Sequence, residues 1–371
     1  MTTPIIAVLL GTRPEAVKLA PVICALHDAG IPTAVFSTGQ HQDMVTEVLG
    51  QFEIRIDEDL ELMRAGHTLD HVITGAIAGI GDLLDEYRPR AVLVQGDTSS
   101  ALGSSLAAFH RGVPIGHVEA GLRSGDLQHP FPEEMNRRAM AVMARWHFAP
   151  TETAAANLAA EGIHDGVHMV GNTVVDALQA MMAVPGPLPD DLAEVSSRRF
   201  ILATAHRRES WDGGIGEIAR GLAEALEALP DHYLVFVTHP NPVARAPVEA
   251  RFKDHPRALV TGPLPYRVFL ELLSRCELAV SDSGGVQEEG PTLGVPVIVT
   301  REVTERPEGV RAGAVLVVGT DADRIRECAI EILQNPESSA AMRNAGARIY
   351  GDGAAASRIA AILGADLGLS S

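Results

Sequence analysis

Three acidic clusters in the first half of the chain have the residue types and placing for acid–base work. Asp97 stands in Gln95-Gly96-Asp97-Thr98, Glu119 in His117-Val118-Glu119-Ala120-Gly121, and Glu133 with Glu134 in Pro130-Phe131-Pro132-Glu133-Glu134. Carboxylates that converge repel one another and lose solvation, which drives their pKa values apart and lets acid and base forms coexist at neutral pH. Arg13, in Gly11-Thr12-Arg13-Pro14-Glu15, brings the opposite charge. A guanidinium beside backbone N–H groups at a helix start suits a diphosphate; Lys18 one turn on reads either as added charge or as a residue of the helix surface. In the second half, His206-Arg207-Arg208-Glu209-Ser210 offers an imidazole for phosphate contact or proton transfer. Asp282-Ser283-Gly284-Gly285-Val286-Gln287-Glu288-Glu289 lets Ser283, Gly284 and Gly285 bring backbone N–H groups to a phosphate, with Glu288 or Glu289 toward ribose hydroxyls. Its spacing is neither the Walker GxxxxGK pattern nor GxGxxG, so neither ATP hydrolysis nor NAD is indicated. Each of these residues taken alone also reads as a cap or a turn; it is their shared location that points to chemistry.

That location follows from the elements that carry them. Short β-branched runs alternate with stretches of helical period, the pattern of parallel sheets with helical crossovers, and ligands of such sheets bind beyond the carboxyl ends of the strands. Strands are predicted at Ile5 to Leu10, Thr33 to Ser37, Ala91 to Gln95, Ile115 to Val118 and His147 to Ala149. A second series restarts at Phe200 to Ala205, Tyr233 to Thr238, Ala258 to Thr261, Leu278 to Ser281, Val295 to Thr300 and Ala314 to Val318. Between the series, Ala183 to Ser197 carries Pro185, Pro187 and Pro189 and reads as a surface connection. The expected division is an N-terminal domain over 1–170, a C-terminal domain over 171–352, and a terminal helix in 353–371 packing back on the first domain.

Composition agrees with a folded two-domain protein: 371 residues, 46% hydrophobic and 21% charged. A net charge of −18 argues against nucleic acid or an anionic membrane as partner, because binding to phosphate polymers needs clustered Lys and Arg. No apolar run reaches membrane-spanning length, and the first residues lack the pattern of a signal peptide. Cys24, Cys276 and Cys328 are too far apart for a CxxC metal site and odd in number, so free buried thiols in a cytoplasmic protein are expected, with no metal.

Taken together the motifs resemble the non-hydrolysing UDP-N-acetylglucosamine 2-epimerases over nearly the whole chain. The strings are GTRPEAVKLAPV (Gly11 to Val22), GDTSS (Gly96 to Ser100), GHVEAGLRSGD (Gly116 to Asp126), PFPEEMNR (Pro130 to Arg137), GNTVVDAL (Gly171 to Leu178), AHRRES (Ala205 to Ser210), DSGGVQEE (Asp282 to Glu289) and TERPEG (Thr304 to Gly309). The resemblance implies a glycosyltransferase-B-type fold, two Rossmann-like doubly wound domains facing a central cleft, in a homodimer. It implies reversible epimerisation at carbon two of a UDP-sugar through elimination of UDP to 2-acetamidoglucal and re-addition, without a cofactor. By motif match Asp97, Glu119, Glu133 and His206 carry the acid–base and leaving-group chemistry, while Arg13, Lys18, Ser283, Gly284, Gly285, Glu289 and Arg306 hold UDP. Gln40 and His41 stand where many relatives bind a second, activating sugar nucleotide, but Asp43 and Gly66 depart from that pattern. A hydrolysing 2-epimerase that releases UDP and N-acetylmannosamine, or a glycosyltransferase of the same fold, would share much of this framework.

Overall fold

Every apolar run singled out in the sequence forms a strand in the computed structural model, which describes residues 6–40, 42–62, 68–183, 186–207, 210–346 and 348–369. Two compact units divide the chain: Met1–Met181 together with Tyr350–Ser371, and Met182–Ile349. In the first unit the elements are β1 Ile6–Leu10, α1 Arg13–Asp28, β2 Thr33–Ser37, α2 Gln42–Gln51, β3 Glu58–Asp59, α3 Leu69–Tyr87, β4 Ala91–Gln95, α4 Ser99–His110, β5 Ile115–Val118, α5 Glu133–Ala141, β6 Trp146–Ala149, α6 Glu152–Ala160, β7 Val167–Met169 and α7 Thr173–Met182. The second unit continues with α8 Asp190–Ser196, β8 Arg199–Ala205, α9 Gly214–Ala228, β9 His232–Thr238, α10 Pro242–Phe252, β10 Ala258–Thr261, α11 Tyr266–Arg275, β11 Leu278–Ser281, α12 Val286–Thr292, β12 Val297–Val299, α13 Pro307–Ala312, β13 Val315–Val317, α14 Ala322–Gln334 and α15 Pro336–Ala345. The chain then returns to the first unit with α16 Ala355–Asp366.

The first sheet has the parallel order β3-β2-β1-β4-β5-β6-β7 and the second β10-β9-β8-β11-β12-β13. In both, the order reverses direction beside the first strand, between β1 and β4 and between β8 and β11. Connections from neighbouring strands leave toward opposite faces there, which opens a crevice at the carboxyl edge. Strands β1 and β4 are buried at every residue, as parallel strands covered on both faces must be. The helices cover them with one apolar stripe each. In α9, Ile215, Ile218, Ala219, Leu222, Ala225 and Leu226 recur at helical spacing and lie in the core of the second unit.

Three features differ from the sequence reading. The Pro-rich connection contains α8, whose Leu192 is buried, where the sequence reading has a surface connection alone. The edge strands β3 and β7 are additional. The expected change of domain at 170/171 and the observed one differ by α7, which begins with buried Thr173, Val174 and Val175 and stays with the first unit. There Asp176 accepts the Ala356 N–H at 2.9 Å. Helix α16 packs against α1, and Trp146 Nε1 donates to Asp366 Oδ2 at 2.6 Å. The three cysteines are free, Cys276 buried and the other two half-buried.

Candidate active site

At the reversal point of the first unit, the turn from β1 into α1 is closed by its own acid. Glu15 is buried, and its Oε2 accepts the N–H of Gly11 at 2.8 Å and of Thr12 at 2.6 Å, while Oε1 accepts from Thr98 Oγ1 at 2.6 Å. The amides proposed from sequence as an anion cradle are therefore occupied by a carboxylate, the reciprocal cap of a helix start. Burial holds the Glu15 carboxyl above its ordinary range despite these donors. Gly11 is required at this turn, since a Cβ there would lie 1.9 Å from Thr38 Oγ1. Arg13, the first residue of α1, remains half-buried at the same edge.

One turn along α1, Lys18 is buried, and its Nζ lies 2.5 Å from Glu119 Oε1. Gln95, the last residue of β4, donates to the other oxygen of Glu119. Glu119 follows β5 with φ 67°, a left-handed conformation that costs a non-glycine residue on the order of 1–3 kcal/mol and persists only where its surroundings enforce it. Lys18, Gln95 and the strained backbone thus fix one carboxylate in one orientation. Asp97 is fixed separately, by Arg137 Nε at 3.0 Å and Nη2 at 2.5 Å, with Asn136 Nδ2 donating to its carbonyl at 2.8 Å. Glu133 is the first residue of α5, the helix that carries both of those donors. Beneath them His117 is buried, its Nε2 2.7 Å from the Gly96 carbonyl, and burial pushes its pKa down to about 4. Gln40 accepts from Ser100 Oγ at 3.0 Å; His41 lies outside the described residues, as do Arg208 and Glu209.

The reversal point of the second unit joins the ends of β8 and β11. Asp282 is fully buried there, and its Oδ2 accepts the N–H groups of His206 and Arg207, each at 2.8 Å. Its Oδ1 lies 2.9 Å from His206 Nδ1, whose side chain is 41% exposed. Burial pushes the Asp282 pKa up, but the adjoining imidazole and the two amides outweigh it and hold the carboxyl below its usual range. With Nδ1 at ion-pair distance from Asp282, Nε2 is the ring nitrogen left to exchange a proton or meet a phosphate oxygen.

Beside this pair, Ser283 donates its N–H to Ser281 Oγ at 2.9 Å, and Gly284 is closely overlaid by Arg306: a Cβ there would lie 2.8 Å from Nη1. Arg306 is held by Glu288 Oε1 at 2.6 Å and by Glu305, which a second arginine, Arg301, meets at 3.0 Å. Against strong burial, these two arginines keep the Glu305 carboxyl well below the usual range. Glu289 follows one turn after Gly285, and Tyr266 Oη donates to its Oε1 at 2.6 Å.

The structure thus joins Lys18 to Glu119 and Arg306 to the Ser283–Gly285 turn, and places Asp97 and Glu133 on interlocked elements. Sequence reasoning missed Asp282, Arg137, Gln95 and Tyr266 as working parts. Two of them were marked in the sequence: Gln95 is a polar end to an apolar strand, and Asp282 directly follows another.

Polar groups gathered at the carboxyl edge, beside the strand-order reversal of a parallel sheet, are the arrangement of Rossmann-like α/β enzymes. The UDP-N-acetylglucosamine 2-epimerase family matches residues 25–364, and the chain belongs to that family of isomerases. It is 42% identical over 361 residues to UDP-N-acetylglucosamine 2-epimerase of Escherichia coli, covering 95% of this chain and 96% of that one. A solved structure of the Neisseria meningitidis UDP-GlcNAc 2-epimerase bound to UDP-GlcNAc aligns with TM-score 0.90 at 38% identity, covering 96% of this chain and 99% of that one. The S. aureus MnaA–UDP co-structure aligns with TM-score 0.92 at 37% identity, covering 98% and 97%. The fold class is accordingly the glycosyltransferase-B type, built of two Rossmann-like domains. No helix among the described residues is long and apolar enough to cross a membrane.

Proposed function

We propose that the protein interconverts UDP-N-acetylglucosamine and UDP-N-acetylmannosamine at carbon two of the sugar. The observation that carries this reading is the end-to-end likeness, at 38% identity, to a 2-epimerase whose solved structure holds UDP-GlcNAc. In the forward step a base removes the proton from carbon two as the bond from carbon one to the diphosphate oxygen breaks. The bonding pair leaves with UDP, and 2-acetamidoglucal remains. In the return step a proton is delivered to the opposite face of carbon two, and a UDP oxygen re-forms the bond to carbon one.

The hydrogen at carbon two is weakly acidic, so its removal has to be coupled to stabilisation of the departing diphosphate. A positioned base contributes roughly 10²- to 10⁴-fold, and fixed positive charge on the leaving group lowers the barrier further. Asp97, Glu119 and Glu133 are assigned to proton movement. His206, beside Asp282, is assigned to proton movement or the leaving diphosphate. Arg13, Arg306 and the Ser283, Gly284 and Gly285 turn are assigned to the diphosphate, and Glu289 to the ribose hydroxyls. Lys18 acts on this reading through Glu119, which its ammonium meets directly. The same reading takes the working form as a cytoplasmic homodimer without a cofactor, with three free thiols in keeping with a reducing compartment.

UDP-N-acetylglucosamine incubated with the protein alone in heavy water is expected to give both epimers, with deuterium at carbon two. Free UDP and N-acetylmannosamine as the only products would refute the reading in favour of hydrolysis. Asp97→Asn and His206→Ala are expected to abolish exchange while unfolding stays cooperative.

A further inference from the structure

Helix α5 opens with Glu133, one of the acids assigned to the reaction, and the same helix reaches across to another. Asn136 and Arg137 both bond Asp97, which sits in the turn between β4 and α4. Arg137 is 3% exposed and is held from behind by Glu134, 0% exposed, whose Oε2 accepts from Nη1 at 3.0 Å. Glu134 is anchored in turn by backbone amides, of Ser124 at 2.9 Å and Gly125 at 3.3 Å. The result is one continuous chain of bonds: loop amides, Glu134, Arg137, Asp97.

The geometry at its end is unusual. A guanidinium facing a carboxylate commonly places one N–H on each oxygen. Here Nε and Nη2 both fall on Oδ2, and among the described residues none bonds Oδ1. The Asp97 side chain is 25% exposed, whereas the arginine and Glu134 behind it are sealed. One oxygen is therefore pinned and the other presented. A buried ion pair contributes little net stability once its desolvation is counted, so its effect here lies in geometry.

We propose that Arg137, backed by Glu134, is a positioning residue for the epimerisation: it turns Asp97 so that Oδ1 meets the reacting carbon, and it locks Asp97 to the helix that begins with Glu133. The spacing of the two acids is then set by α5 itself and not by a flexible loop. This rests on the assignment of Asp97 to proton movement made above. The guanidinium matters for its fork as well as its charge, because a single ammonium cannot hold Asp97 and Glu134 in the same way.

The test compares Arg137→Gln, Arg137→Lys and Glu134→Gln in the full-length protein. The readouts are deuterium uptake at carbon two, steady-state kcat and KM, calorimetric binding of UDP, and thermal unfolding. A misplacement of about 1 Å costs about 10²-fold in rate, so Arg137→Gln is expected to lose about 10²-fold or more in kcat. KM and the Kd for UDP are expected to stay within about threefold, since Arg137 acts through Asp97, which is assigned to proton movement and not to the diphosphate or the ribose. Arg137→Lys is expected to recover about tenfold over Gln by restoring the charge without the fork. Where Arg137→Gln does not fold, Arg137→Lys and Glu134→Gln carry the test, each with a loss confined to kcat. A folded variant with wild-type kcat, or a loss of kcat matched by an equal loss of UDP affinity, would overturn the proposal. Absence of exchange in the wild-type protein would instead strike the reading of the function itself, a separate and recognisable result.

Discussion

Acid is expected to destabilise the first unit through a single buried imidazole, His117. His117 is 1% exposed, donates from Nε2 to the Gly96 carbonyl, and titrates near 4 in place of 6.5. The folded form therefore resists a proton that the unfolded chain accepts, so stability is complete above 6.5 and is lost as pH falls from 6.5 toward 4. A depression of that size amounts to about 3 kcal/mol, of which about 2 kcal/mol is gone between pH 7 and pH 5. The protein has two tryptophans, Trp146 in β6 and Trp211 in the second unit. In a Trp211→Phe background the fluorescence of buried Trp146 reports the first unit alone. Urea midpoints are measured at pH 7 and pH 5, with and without His117→Gln, whose amide can still donate to the Gly96 carbonyl. The wild-type midpoint is expected to fall by about 1 M more than that of the variant over this interval. His147, also depressed by burial, is common to both proteins and cancels. Equal falls in the two proteins would refute the assignment of this limb to His117, whatever the variant's absolute stability.

Other expectations follow from single contacts. Asp282→Asn keeps an oxygen for the two backbone amides but removes the charge beside His206; the exchange rate should drop by about 10²-fold or more with little change in thermal midpoint. Tyr266→Phe removes the hydroxyl from Glu289 and should weaken UDP binding by about three- to tenfold in calorimetry, with a smaller effect on 2′-deoxy-UDP. Gly11→Ala drives a methyl into Thr38 Oγ1 and should cost about 1–3 kcal/mol in urea unfolding, partly restored by Thr38→Ala.

How much of this was legible in the sequence depends on the length of the feature. Strands such as Ala91–Gln95 and Leu278–Ser281 were readable to the residue, because a buried parallel strand is an unbroken apolar run bounded by polar residues. Glu58–Asp59 and Val167–Met169 were not, since two or three residues at a sheet edge carry no period and no apolar run. Helix α8 was hidden by its prolines, although Pro189 followed by two aspartates is a fair helix start. At the site, the exposed chemical groups could be located from strand ends, but their partners could not. Nothing in local spacing says that Arg137 reaches Asp97, forty residues away, or that Glu15 turns back to occupy the amides before it. Lys18 shows the limit well: one turn after an arginine it reads as added charge or as a helix-surface residue, and nothing in local spacing says that its ammonium lies against Glu119.

The return of the chain to the first unit has a consequence for synthesis. Residues of Met182–Ile349 are contiguous and can fold as they leave the ribosome, whereas the first unit awaits α16, whose Ile359 and Leu363 are fully buried. Until those last turns emerge, the surface of α1 that they cover stays open to water and to other chains. The domain begun first is finished last, and a stop codon shortly before Ala355 would damage the amino-terminal half while sparing the sequence-distal one.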